Sequence, residues 1–92
     1  MPLLVCDHHL KDFDTWFKIF SSNPPPAIGK WRMARGTDDP NRVHLVCALD
    51  SSEVDEIKGF MASDKMQAVF SEVNQMSTAP LEFIWLDEIT AT

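Results

Sequence analysis

The sequence has little of several residue types, and each shortage excludes a class of protein. It has no tyrosine, three glycines and two cysteines without a CxxC spacing, so phosphate loops, zinc ribbons and dithiol redox motifs lack their residues. Basic side chains number 8 against 14 acidic ones, and this balance argues against nucleic acid as a partner because phosphate binding needs a basic surface. Without a long apolar run, we expect no membrane span and no signal peptide, and hence a cytoplasmic protein.

Apolar side chains, by contrast, are plentiful. They make up 45% of the 92 residues and include six Phe and three Trp, which is enough for the packed core of a single domain over residues 1–92. Cys6 and Cys47 lie in apolar, strand-like runs. We therefore expect both to be reduced and buried, with a disulfide or a reactive thiol as the alternatives.

Two helices are predicted from apolar spacing. Asp12 is a candidate N-cap, and after it four aromatic residues recur at helical spacing from Phe13 to Phe20. The second helix is predicted to begin at Ser52 and to be interrupted and capped again at Ser63. Between the two helices, three consecutive prolines predict a stiff, extended connection.

Four strands complete the predicted order β-α-β-β-α-β. They cover residues 2–10, 30–37, 42–49 and 81–86. A right-handed crossover leaves room for the third strand between the first two, so the predicted fold class is α+β, a ferredoxin-like antiparallel sheet with both helices on one face. Three of the strands are apolar on both faces, and we therefore expect a homodimer, an α/β barrel in which two sheets cover each other.

Residues 8–16, HHLKDFDTW, resemble a pattern of small proteins in the dimeric α/β-barrel superfamily, the antibiotic biosynthesis monooxygenase-like domains. The turn DDPN at 38–41 and the segment FMAS at 60–63 are similar to that family as well. The resemblance implies the same barrel fold. Its members include cofactor-free monooxygenases, cyclases, isomerases, haem-degrading enzymes and ligand-sensing proteins, so the fold leaves the function open.

A four-residue hairpin loop at 38–41 predicts the pairing of the two central strands. Arg35 would then lie opposite His44, on the same face as Trp31 and Met33. In that arrangement the arginine anchors an anionic or phenolic ligand while the apolar side chains hold its ring. The alternative is an ordinary polar pair at an exposed strand end, and a slip of one residue would move Arg35 to the other face.

His8 falls at the histidine position of the family pattern, where it is a candidate general base, as is His44. The alternative for His8 is a structural role near the helix start. Trp16 and Phe83 are candidate walls of a ligand cavity, with core packing as the alternative. No histidine spacing favours a metal site, and no cofactor is expected.

Two functions remain open at this level. The first is a small ligand-binding or stress-related protein that binds a small aromatic molecule without chemistry. The second is a cofactor-independent monooxygenase, cyclase or isomerase that acts on an aromatic or polyketide-like molecule. The first is favoured because no spacing in the sequence forces two catalytic groups together.

Overall fold

The structure is a computed structural model and describes residues 1–90, which form a four-stranded antiparallel sheet and three α-helices. In chain order the elements are β1 (Pro2–His9), α1 (Phe13–Ser22), β2 (Trp31–Arg35), β3 (Arg42–Ala48), α2 (Ser51–Ala62), α3 (Asp64–Gln75) and β4 (Glu82–Asp87). The sheet order β2-β3-β1-β4 places β3 between the first two strands, as the predicted crossover requires. The ferredoxin-like fold is confirmed, with the second helix in two pieces. No helix within residues 1–90 has the length and apolar character needed to cross a bilayer.

The helix boundaries follow from side-chain caps. Asp12 caps α1 by accepting a hydrogen bond from the Thr15 amide at 3.1 Å, and Ser63 caps α3; both were predicted. The predicted cap of α2 at Ser52 is wrong. Asp50 caps that helix in a capping box with Glu53, each side chain accepting from the other residue's amide. A carboxylate at this position satisfies an exposed amide and complements the helix dipole.

The two faces of the sheet have different environments, because the helices cover only one of them. Alternate side chains of each strand point to this covered face, and they include Leu4, Cys6, His8, Leu45, Cys47 and Phe83. The other face, called the open face below, has no helix over it and carries Leu3, Val5, Asp7, His44, Ile84 and Leu86.

The predicted register of the central hairpin is wrong by one residue. Arg35 pairs with Val43, and His44 lies opposite Ala34. The reason is the loop: the Gly36 amide donates to the Arg42 carbonyl at 2.9 Å, so the turn holds five residues, 37–41, rather than four. A one-residue change of register turns every side chain of β2 to the opposite face relative to β3.

At Gly36 the chain makes a close approach that favours glycine. A Cβ atom on this residue would lie 2.5 Å from the carbonyl oxygen of Asp39. That separation is too short for a carbon–oxygen contact, so a larger residue would push the loop open.

Candidate functional site

A cavity of about 70 Å³ lies between the covered face and the helices. This is about half of the roughly 150 Å³ of an engineered apolar cavity that holds benzene, so an aromatic ring would need the wall side chains to move apart. Its walls are apolar side chains from all four strands, the aromatic residues of α1 and the inner faces of α2 and α3. They include Leu4, Cys6, Trp16, Phe20, Trp31, Leu45, Ile57, Met61, Met66, Val69, Phe70 and Phe83.

Two titratable residues, His8 and Cys6, lie among the cavity walls. His8 is 5% exposed, and its Nδ1 atom is buried without a hydrogen-bond partner among the described residues. Its ring lies 5.2 Å from the ring of Trp16. Burial lowers the pKa of His8 to about 4, against the opposing effect of the Asp7 carboxylate, so the imidazole is neutral at pH 7.

Hydrogen bonds from two segments hold the end of β1 that carries His8. The Leu10 amide donates to the Asn41 carbonyl at 2.9 Å, and the Thr78 amide donates to the His9 carbonyl at 2.7 Å. The Asn41 side-chain oxygen also accepts from the Phe13 amide at 2.9 Å. The turn predicted from DDPN therefore links β1, β3 and the start of α1 around the histidine.

Other polar groups of the cavity wall already have partners or are inert. Trp31 Nε1 donates to the Pro26 carbonyl at 3.1 Å, and the Asn23 amide group donates to the Ile19 carbonyl at 2.9 Å. Burial raises the pKa of the Cys6 thiol to about 12, which leaves it protonated and unreactive. Both cysteines are free and buried, as predicted. His8 Nδ1 is therefore the buried polar atom of the wall residues that has no partner among residues 1–90.

Four of the predicted site residues line this cavity: His8, Trp16, Trp31 and Phe83. Arg35 and Met33 lie on the same face of β2 as Trp31 but do not line the cavity. Met33 is 37% exposed. The Arg35 guanidinium lies 3.8 Å from the centre of the Phe13 ring, and its Nε donates to the Pro40 carbonyl. Arg35 therefore does not approach His44.

His44 lies on the open face, away from His8. Its Nδ1 is 3.4 Å from one oxygen of Asp7, while Arg42 and His9 lie 3.4 and 3.3 Å from the other oxygen. Burial alone would raise the pKa of Asp7, but hydrogen bonds with Arg42 and His44 outweigh it and lower that pKa. Within residues 1–90, no group of three or more His, Cys, Asp or Glu side chains is arranged to hold a metal ion.

Sequence reasoning did not assign a site role to several wall residues. Met61 and Met66 were expected to fill a core or an interface, and Phe60, Val69 and Phe70 belong to the same apolar helix faces. Helical spacing is the signal that places them inside. That spacing does not distinguish a filled core from one that leaves room for a ligand.

The fold is that of solved antibiotic biosynthesis monooxygenases, as the resemblance implied. One similar structure is a candidate antibiotic biosynthesis monooxygenase from Nitrosomonas europaea, with a TM-score of 0.69, 12% identity and coverage of 98% of this chain and 100% of that one. A conserved protein from Methanosarcina mazei has a TM-score of 0.72 at 9% identity, with 96% and 92% coverage.

An uncharacterised NIPSNAP domain protein from Burkholderia xenovorans is a further similar structure. It has a TM-score of 0.64 and 15% identity, and the alignment covers 100% of this chain and 98% of that one. Neither a protein-family model nor a curated protein matches the sequence. At these identities the likeness establishes a shared fold, and the chemistry has to be argued from the site.

Proposed function

We propose that this chain, as a single domain over residues 1–92, binds a small aromatic molecule in the cavity between sheet and helices. The observation that carries the proposal is the unpartnered Nδ1 of His8 in an otherwise apolar cavity. A buried polar atom without a partner costs about 1–3 kcal/mol. A ligand that supplies a hydrogen bond removes this cost, whereas an apolar ligand of the same shape does not.

The shape and chemistry of the wall favour a flat ring over a branched aliphatic molecule. Trp16, Phe20 and Trp31 contribute aromatic surfaces to the wall. Aromatic rings pack against one another with ring centres about 4.5–7 Å apart. A phenol combines such a ring with a hydroxyl group that donates to a neutral imidazole nitrogen.

Binding of p-cresol and toluene tests this function, because the two differ in the hydroxyl group that His8 would recognise. We expect both to shift the NMR signals of cavity residues, and p-cresol to bind about 3- to 10-fold more tightly, the equivalent of one hydrogen bond. His8→Leu should remove this preference, and His44→Leu on the open face should retain it. If neither molecule shifts the Trp16 indole signal, the proposed function is wrong.

A cofactor-independent enzyme is the second candidate, with His8 as general base. The imidazole is neutral and Nδ1 has no partner among residues 1–90. In the tautomer that carries its hydrogen on Nε2, Nδ1 can accept a proton, which is what deprotonation of a phenol or an enolisable carbon requires. Its pKa of about 4 makes it a weak base at pH 7, and this favours binding over catalysis. His44, beside Asp7 on the open face, remains a predicted base without a cavity around it.

Proton exchange separates the two candidates. An enzyme of this kind accelerates the exchange of the α-protons of phenylacetone in D₂O, and His8→Leu abolishes the acceleration. A binding protein leaves the exchange rate at its buffer value. NMR integration of the methylene signal against the aromatic signals measures the rate directly.

The homodimer is proposed on the basis of the open face. Ile84 and Leu86 there are 41% and 48% exposed, and a second copy would remove these side chains from water. Light scattering should give about twice the chain mass of 10.4 kDa, and Ile84→Lys should halve the value. Ile28→Lys, at an equally exposed position outside the sheet, is the matched control. A mass of one chain for the unmodified protein at micromolar concentration would exclude the dimer.

A cytoplasmic location is also proposed. Both cysteines are free thiols, which is the state that a reducing compartment maintains.

A further inference from the structure

Beside the cavity, on the side of β4, lies a second and more open space of about 460 Å³, called here the β4 groove. Trp85 and Leu81 form one side of it, and Lys58, Gln67 and Asn74 from the two helices form the other. The sequence alone predicts a ligand-binding role for none of the three helix residues. Their polar ends give this groove a chemistry that the cavity lacks.

The groove and the cavity adjoin each other. Met61, Phe70, Leu81 and Phe83 line both spaces. The rings of Phe70 and Phe83 pack 5.1 Å apart at an angle of 54°, and they form part of the wall between the two. The two spaces therefore lie side by side, and a ligand that occupies both has to pass beside these two rings.

The groove is locally cationic although the chain carries a net charge of −6. Lys58 is the only charged residue that lines it, and the ion pairs among the described residues do not involve Lys58. Its Nζ lies 5.2 Å from the centre of the Trp85 ring, a contact that holds the ammonium group over the groove wall.

A second donor lies in the same groove. The side-chain oxygen of Asn74 accepts a hydrogen bond from the Leu81 amide at 3.0 Å, so its NH₂ group is left as a donor. Gln67 is engaged elsewhere, because its NH₂ group donates to the Met61 carbonyl at 2.7 Å. The groove thus offers an ammonium group and an amide donor without a carboxylate among its walls, a set that suits an anion.

We propose that the β4 groove binds the carboxylate of an amphipathic ligand whose aromatic ring occupies the cavity. The ligand class is then a short arylalkanoate, with one ring, a linker of a few carbons and a terminal carboxylate. This inference rests on the proposed function, because it needs the ring to enter the cavity. It goes beyond that function by assigning a negative charge to the ligand, a property that His8 and the apolar walls do not determine.

The test compares 3-phenylpropionate with 3-phenylpropanamide, which have the same ring and linker but differ in charge. Both are titrated into the ¹⁵N-labelled protein at pH 7.5, and dissociation constants are taken from the amide shifts of cavity and groove residues. We expect the carboxylate to bind about fivefold more tightly, as one partly exposed ion pair gives. Raising the salt concentration to 1 M should reduce that preference.

Two lysine variants locate the effect. Lys58→Met removes the ammonium group and keeps the length of the side chain, and the preference for the carboxylate should fall to about one. Lys65→Met makes the same charge change on α3, outside the groove lining, and should keep the preference. A fold comparison of the variants by far-UV circular dichroism accompanies the titrations.

Each outcome has a distinct meaning. Equal binding of acid and amide at the cavity overturns the inference and leaves the proposed function standing. A carboxylate preference that survives in Lys58→Met also overturns it, because the anion then binds elsewhere. Binding of neither compound overturns the inference, and the p-cresol and toluene titrations then decide the proposed function separately.

Discussion

The covered and open faces of the sheet each carry a histidine, and the two histidines have opposite properties. His8 points to the covered face, is 5% exposed and has a pKa lowered to about 4. His44, on the open face of the adjoining strand, has a side chain that is 46% exposed and lies 3.4 Å from the carboxylate of Asp7.

The difference shows that strand alternation, rather than residue type, decides the chemistry of a histidine in this fold. On the covered face the imidazole loses its water and becomes a neutral polar atom in an apolar cavity. On the open face the same ring is solvated and screened beside a carboxylate. Each prediction below tests one part of this contrast.

The largest effect is expected from the apolar core of the covered face. Leu4 is fully buried, and Leu4→Ala should lower the free energy of unfolding by about 2–5 kcal/mol because it leaves a void. Leu86→Ala, at a position 48% exposed on the open face, should cost less than about 1 kcal/mol in the monomer. Urea unfolding of both variants measures the two values, and equal losses would contradict the assignment of the faces.

Acidification should destabilise the protein through His8. Its pKa is about 4 in the folded chain against 6.5 in the unfolded one, so the unfolded chain binds more protons in this interval. The free energy of unfolding therefore falls as the pH is lowered from 6.5 to 4, by up to about 3 kcal/mol. Urea midpoints across this range should decline in the unmodified protein and in His44→Gln, and much less in His8→Leu. An unchanged slope in His8→Leu would assign the effect to other groups.

At pH 7, His8→Leu should stabilise the fold by about 1 kcal/mol. The substitution removes a buried polar atom without a partner and replaces it with an apolar side chain of similar size. Thermal unfolding at fixed protein concentration measures the change. A loss of more than about 1 kcal/mol would show that Nδ1 has a partner, such as an ordered water, in the folded protein.

The smallest effect on stability is expected from the polar cluster of the open face, which consists of Asp7 and its neighbours His9, Arg42 and His44. Asp7→Asn weakens the contacts of Asp7 with Arg42 and His44, and partly exposed ion pairs contribute about 0–1 kcal/mol. We expect Asp7→Asn to lower the free energy of unfolding by an amount within that range, and by a smaller amount in 1 M salt. Urea unfolding at low and high salt gives both numbers, and a loss above about 2 kcal/mol would place the cluster among the structural contacts of the core.

Local signals in the sequence predict most of the fold. The aromatic spacing after Asp12 gives α1, and Ser63 marks the break between α2 and α3, because caps and apolar periodicity act over a few residues. The register of β2 was predicted wrongly since it depends on the loop length, and a polar segment such as 37–41 does not show where pairing stops.

The candidate site was predictable only in part. His8 and Trp16 were singled out by the family pattern and Phe83 by strand alternation. Trp31 lines the cavity although the register that led to its prediction is wrong. The cavity itself depends on how three helices leave space above the sheet. The placement of Lys58 over the β4 groove depends on its contact with Trp85, 27 residues away in the sequence. Such packing is a property of the whole fold and has no local signature.

The five-residue turn between β2 and β3 has a consequence for how this protein tolerates change. Deleting one residue from 37–41 would exchange the two faces of β2, so Trp31 would leave the cavity wall and Arg32 would take its place. Removing or adding two residues would preserve the alternation. Length variation in this surface turn is therefore constrained to even steps, and the length of an exposed loop controls which side chain closes the pocket.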